Sequence, residues 1–173
     1  MFQRIVVALD SSEPAQEALS IAITLAQTTR GEIGICSVVD PIVVSGTAPP
    51  SAGMEIVVRD METEAHRLID EAVERAHRAA VRAHGETRCG APAFELLQYA
   101  KRFGADVIVT GTHGRRGLKH LLMGSVAEVI LREATVPVLV VRAARSAHDE
   151  QRADHAEHGK HAEHRGGRPA ATT

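Results

Sequence analysis

Gly111, Gly114, Gly124 and Ser125 stand in the spacing G-x2-G-x9-G-S, inside the stretch that runs from Thr110 to Val126. The chemistry this pattern suits is the holding of a phosphate by main-chain amides. Glycine lets a backbone come close to a ligand and adopt positive φ. A helix that opens at Gly124-Ser125 would present unpaired N–H groups and the positive end of its dipole. The Ser125 hydroxyl could add one more hydrogen bond. The competing account is that these glycines only make a turn and a helix start. The spacing is not that of a Walker A loop: no G-x4-G-K-[ST] occurs, and Lys119 lies in the wrong place. G-x-G-x-x-G is absent too.

Other residues invite chemistry and also have plainer explanations. Asp10, at the end of an apolar run, can touch a ligand or cap the next helix. His113 sits between two motif glycines, but no base or nucleophile pair accompanies it, so a solvent-facing loop histidine is expected. Arg115, Arg116, Lys119 and His120 can complement a triphosphate or form a solvated helix face. Cys36 and Cys89 make no CxxC pattern and are expected to be unpaired, buried thiols, although their spacing allows a disulfide. His155, His158, His161 and His164 recur every third residue and could gather imidazoles around a divalent metal. A solvated, pH-sensitive segment is the simpler expectation.

Stepping outward from these residues, the chain alternates between strands and helices. Arg4 to Leu9 is a β-branched run that ends at Asp10-Ser11-Ser12, where Ser12 can cap a helix and Pro14 fits a first turn. Ala15, Ala18, Leu19, Ala22, Leu25 and Ala26 then recur at helical spacing, and Gly31 can end that helix. Ile33 to Val39 reads as a second strand. Residues 41 to 56, with Gly46, Pro49, Pro50 and Gly53, read as a long irregular loop. A charged helix follows from Val58 to about Ala79, then a weak polar strand from Val81 to Arg88 suited to a sheet edge. A helix from Ala93 to Phe103, a strand from Asp106 to Thr110, a helix from Ser125 to Ala134 and a strand from Val138 to Arg142 complete the pattern. The alternation implies a mostly parallel sheet with helices on both faces, and strands 1, 2, 4 and 5 are apolar enough to be covered on both sides.

Composition narrows the function classes. Aromatic residues make up 2% of the 173 residues, so the core must be built from Val, Ile, Leu and Ala, and a base-stacking surface is not expected. A formal net charge of -2 gives no electrostatic case for nucleic acid or an anionic membrane as the main partner. The first ten residues contain too short an apolar run for a secretory signal, and no stretch approaches the about 18 apolar residues of a membrane span, so a cytoplasmic location is expected. Residues 1–145 form the expected domain. Residues 146–173, rich in His and charge and without Val, Ile, Leu or Phe, are expected to be a disordered His-rich tail.

The segment GADVIVTGTHGRRGLKHLLMGSVAEVILREATVPVLVVR, with the opening RIVVALDSSEPAQEAL, closely resembles the universal stress protein family, over roughly residues 1 to 143. Family members that carry G-x2-G-x9-G-[ST] bind ATP, and this chain keeps all four motif positions. The resemblance implies a Rossmann-like open sheet of five parallel strands in the order 3-2-1-4-5. The nucleotide would lie where strands 1 and 4 diverge. Ala8, Leu9 and Asp10 would stand beside it, and Val38 would read the adenine edge through its backbone. Thr110, Gly111 and Gly114 would hold ribose and phosphate, and Gly124, Ser125 and Val126 the phosphates. Ala127 stands where the family often has Ser or Thr, so one phosphate hydrogen bond would be missing. Mg2+ or Mn2+ would travel with the phosphates, because no carboxylate cage is evident. The resemblance also implies a homodimer paired through the last strand, Val138 to Arg142. The expected role is nucleotide-dependent stress regulation, with slow ATP hydrolysis or phosphate transfer as one alternative and a metal-binding adaptor acting through the tail as another.

Overall fold

The computed structural model describes residues 2–42, 52–114 and 123–142. Five strands, β1 (Arg4–Ala8), β2 (Glu32–Val39), β3 (Arg82–Cys89), β4 (Val107–Gly111) and β5 (Val138–Val141), form one parallel sheet in the order β3-β2-β1-β4-β5. Helices among the described residues include α1 (Glu13–Thr29), α2 (Ala52–Arg78), α3 (Pro92–Phe103) and α4 (Ser125–Glu133). The parallel sheet is the one expected from the alternation of elements, and its order is that of the Rossmann-like fold implied by the family resemblance.

Strand parity divides the core in two. Ile5, Val7, Ile33, Ile35, Val107 and Val109 point toward α1 and α2. Val6, Cys36 and Ile108 point the other way, toward Leu96, Tyr99 and Ala100 of α3 and Ile130 of α4. Parallel neighbours need right-handed crossovers, so reversing the direction of strand addition after β3 moves the next helices to the opposite face. The loops leaving β1 and β4 therefore diverge, and a crevice opens above their carboxyl ends.

Several boundaries differ from the sequence reading. Helix α2 begins at Ala52, six residues before the expected start at Val58, and most of the expected loop from 41 to 56 lies outside the described residues. Gly53 sits in its first turn, where amides have no intrahelical acceptor in any case. Gly31 does not supply the left-handed residue that closes α1. Arg30 does, at φ 56, and the Gly31 amide donates to the Ala26 carbonyl at 2.9 Å. Gly31 is small for another reason: a Cβ there would stand 2.7 Å from the backbone oxygen of Gln3. Strand β5 is covered less than expected, with Leu139 40% exposed at the sheet edge.

The polar strand β3 does lie at an edge. Gly85 is required there because a Cβ would come within 2.2 Å of the Ile69 side chain of α2. The two cysteines are both free thiols, but only Cys36 is buried; Cys89 is exposed. Cys89 pairs in register with Val39, whose side chain faces α2, whereas Cys36 faces α3, so the two sulfurs lie on opposite sides of the sheet. The expected tail, 146–173, lies outside the described residues, and so does any structure of its histidines. No helix among the described residues is long and apolar enough to cross a membrane.

Two expected outcomes follow from this packing. Gly31→Ala would force its Cβ onto the Gln3 carbonyl and lower unfolding stability in urea by about 1–3 kcal/mol, the usual cost of overpacking; an unchanged midpoint would show that the start of β1 can yield. Burial pushes the Cys36 thiol up from 9.0 to about 12, with Arg88 opposing that rise. Below pH 9 both folded and unfolded chains hold the proton. From pH 9 to about 12 only the unfolded chain gives it up, so stability is lost as pH rises through that window. At pH 8 a thiol reagent should label Cys89 and spare Cys36 until the protein unfolds, and equal labelling of both in the folded protein would contradict this.

Candidate functional site

The crevice above β1 and β4 is a cleft of about 570 Å³, within the range of small-molecule sites. All ten residues singled out from the sequence line it: Ala8, Leu9, Asp10, Val38, Thr110, Gly111, Gly114, Gly124, Ser125 and Val126. Ala8, Val38 and Thr110 arrive there by parity, since each points to the α3/α4 face at the carboxyl end of its strand. The same parity brings in Cys36, two residues before Val38, which the sequence reading had assigned only to the core. Pro92 and Leu96 from the first turn of α3 and Met61 from α2 complete an apolar end. No sequence signal marked those three, because their place depends on how α2 and α3 pack.

The other end of the cleft is made of backbone. Strand β4 continues into Thr112, which is buried, and its N–H donates to the Val141 carbonyl at 2.7 Å. The Thr112 carbonyl in turn accepts the Gly124 N–H at 2.8 Å. Gly124 is thereby fixed as the extended N-cap of α4, at φ -79 and ψ 153. The first intrahelical bond runs from the Glu128 N–H to the Gly124 carbonyl at 3.0 Å. The amides of Ser125, Val126 and Ala127 thus precede any helical acceptor, and no side chain among the described residues caps them. Ser125 and Val126 are exposed at this helix start.

The motif glycines work differently from the expectation that they supply positive φ. Among the described residues the positive-φ glycines are Gly90 and Gly104, outside the motif. Gly111 faces α1, and a Cβ on it would stand 2.9 Å from the backbone of Pro14 and Ala15. A Cβ on Gly114 would stand 2.7 Å from Oδ2 of Asp10, and one on Gly124 would stand 3.3 Å from the Thr112 carbonyl. Their smallness lets three loops converge, and that convergence leaves main chain lining the cleft.

Asp10 and Ser12 lock the β1 loop to the β4 loop. Oδ1 of Asp10 accepts the Ser12 N–H at 2.9 Å and also the Ser12 hydroxyl. The hydroxyl lies 3.1 Å from the His113 carbonyl as well. Ser12 holds the N-cap position of α1, as its sequence place suggests, but its side chain makes no capping bond. His113 directs Nδ1 toward the Thr112 hydroxyl at 3.1 Å. Ala127 is buried at the cleft wall and brings no hydroxyl. The basic cluster of Arg115, Arg116, Lys119 and His120 lies outside the described residues. Among the described residues no group of three or more His, Cys, Asp or Glu is placed to hold a metal.

Among the described residues, the cleft pairs an apolar end with a row of amides that no side chain caps, and Asp10 places a carboxylate where the loops meet. Comparison with known proteins supports the same fold. The model of the universal stress protein family matches residues 1–142. Universal stress protein MJ0531 of Methanocaldococcus jannaschii is 33% identical over 142 residues, spanning 82% of this chain and 83% of the relative. The solved structure of MJ0577, from the same organism, superposes with a TM-score of 0.74 at 25% identity, covering 84% of this chain and 99% of its own. A universal stress protein solved in complex with cAMP shares the fold at a TM-score of 0.60 and 24% identity, covering 83% of this chain and 98% of that one. With a family model spanning every strand and helix described above, the chain belongs to the universal stress protein family.

Proposed function

We propose that the cleft binds ATP, in the manner of the family subgroup that carries G-x2-G-x9-G-[ST], and that the bound nucleotide sets the protein's conformation or partner choice in a stress response. The observation that carries this reading is the row of amides at Ser125, Val126 and Ala127, which no side chain among the described residues caps, at a cleft at the switch point of the sheet. The triphosphate would lie on that row, with the Ser125 hydroxyl beside it. Thr110, Gly111 and Gly114 would border the ribose and first phosphate. Ala8, Leu9 and Asp10 would flank the nucleoside, and the Val38 backbone would meet the adenine edge. Mg2+ or Mn2+ would enter with the phosphates. The cAMP complex of a relative with this fold is consistent with an adenine ligand.

Hydrolysis is slow at most on this reading. Fast phosphoryl transfer needs a positioned base and a cation at the transferring group, and kinases that have both turn over about 1–100 times per second. The working form would be a cytoplasmic homodimer joined through Val138 to Arg142. Its support is that, among the described residues, β5 is the end strand of the sheet and leaves Leu139 40% exposed.

Calorimetric titration of purified protein with ATP, ADP, AMP and cAMP tests the site. Saturable binding of ATP is expected, with at least a tenfold loss for Gly114→Val, or about 1.4 kcal/mol. Absence of heat for every adenylate would overturn the reading. In sedimentation, the wild type should run as a dimer at micromolar concentration and Leu139→Lys as a monomer; a monomeric wild type would remove the edge-pairing proposal.

A further inference from the structure

Strand β3 presents an unusual face to α3. By parity with Ala83 and Gly85, which meet α2, the opposite face carries Arg82, His84, Glu86 and Arg88. Two of these charges join a continuous chain with two charges of α3. Arg102 donates to both Glu86 oxygens, at 2.8 and 2.6 Å. Glu86 accepts Arg88 at 2.7 Å, and Arg88 reaches Glu95 with Nε at 2.6 Å and a terminal nitrogen at 2.5 Å. The inner pair, Arg88 and Glu95, is 20% and 16% exposed, far less than Arg102 at its outer end, at 56%. Exposed ion pairs contribute little, but a two-pronged, half-buried contact inside a network orients its partners.

The inner pair borders the apolar end of the cleft. Arg88 stands in register with Val38, and Glu95 adjoins Leu96 in the first turn of α3. Between them the chain turns at Gly90, φ 144, where a Cβ would stand 3.1 Å from the Glu95 side chain. Pro92, three residues before Glu95, lines the same cleft. The segment from Gly90 to Leu96 thus hangs from Arg88 at one end and from the core contact of Leu96 at the other.

We infer that Arg88, through Glu95, is a positioning residue for the base-binding end of the cleft: it fixes the first turn of α3, and hence Pro92 and Leu96, against Val38. This rests on the nucleotide reading above and adds to it a residue outside the glycine motif. The phosphate end is built on α4 and β4 and makes no use of Arg88.

The test compares ATP with inorganic triphosphate, each supplied with Mg2+, on the full chain. For Arg88→Met, ATP affinity should fall about tenfold while triphosphate affinity stays within twofold of the wild type; Arg88→Lys should recover part of the loss, and Glu95→Gln should show a smaller loss. In the ligand-free protein, amide exchange should quicken in α3 from Glu95 to Tyr99 and stay unchanged in α4. Equal losses for both ligands, an unchanged ATP affinity, or unchanged exchange in α3 would each overturn the assignment. A wild type that binds neither ligand would instead sink the nucleotide reading, and the exchange pattern would still decide whether Arg88 positions α3.

Discussion

Two backbone hydrogen bonds on one residue hold the working end of this molecule together. Thr112 donates to Val141 and accepts from Gly124, and its side chain is buried. A buried backbone group left without a partner costs about 1–3 kcal/mol, so the chain beyond β4 must keep both partners. The first bond extends the β4–β5 pairing past the last residue of the strand. The second sets where α4 can begin. Because the Gly124 amide is used on Thr112, the next three amides become the first of the helix, ahead of any intrahelical acceptor. The edge strand and the helix start are therefore tied to one residue.

The glycines matter because this crossing is crowded. Strand β4 must end against the first turn of α1, and only the absence of a Cβ at Gly111 allows Pro14 and Ala15 to approach as they do. The Asp10 carboxylate then fits beside Gly114, with Ser12 bridging to the His113 carbonyl. Similar economies recur away from the site. Gly34 leaves room for the Tyr99 ring, whose hydroxyl would be 2.9 Å from a Cβ there. In a chain with 2% aromatic residues, close backbone approach at such points replaces part of the packing that large side chains supply elsewhere.

The fold was legible because parallel strands covered on both faces leave long apolar runs, and β1, β2 and β4 are such runs. What was hidden depends on tertiary partners. Strand β3 reads as weak because Glu86 and Arg88 look like solvent-facing charges; their partners, Glu95 and Arg102, lie one element further along the chain. The early start of α2 was masked by Gly46, Pro49, Pro50 and Gly53, which signal a loop by composition alone. At the site, the glycine spacing located the backbone end. The apolar end could be extended only as far as period-two parity reaches, from Val38 to Cys36. Pro92, Leu96 and Met61 come from helices whose placement no local pattern encodes.

The charges lining the cleft constrain what can bind there. Among the described lining residues the charged side chains are Asp10 and Asp40, with no Lys or Arg. A bare polyanion would meet repulsion from these carboxylates and attraction only from dipoles: the amides at the start of α4 and the positive end of its helix. Such partial charges favour an anion by about 0.3–1 kcal/mol near an exposed helix end, more where water is excluded. They direct a phosphate well and neutralise it poorly. A nucleotide on this surface would therefore gain from bringing its own cation, and the two carboxylates, unfavourable to phosphate alone, would become neutral or favourable if a divalent ion rode with it.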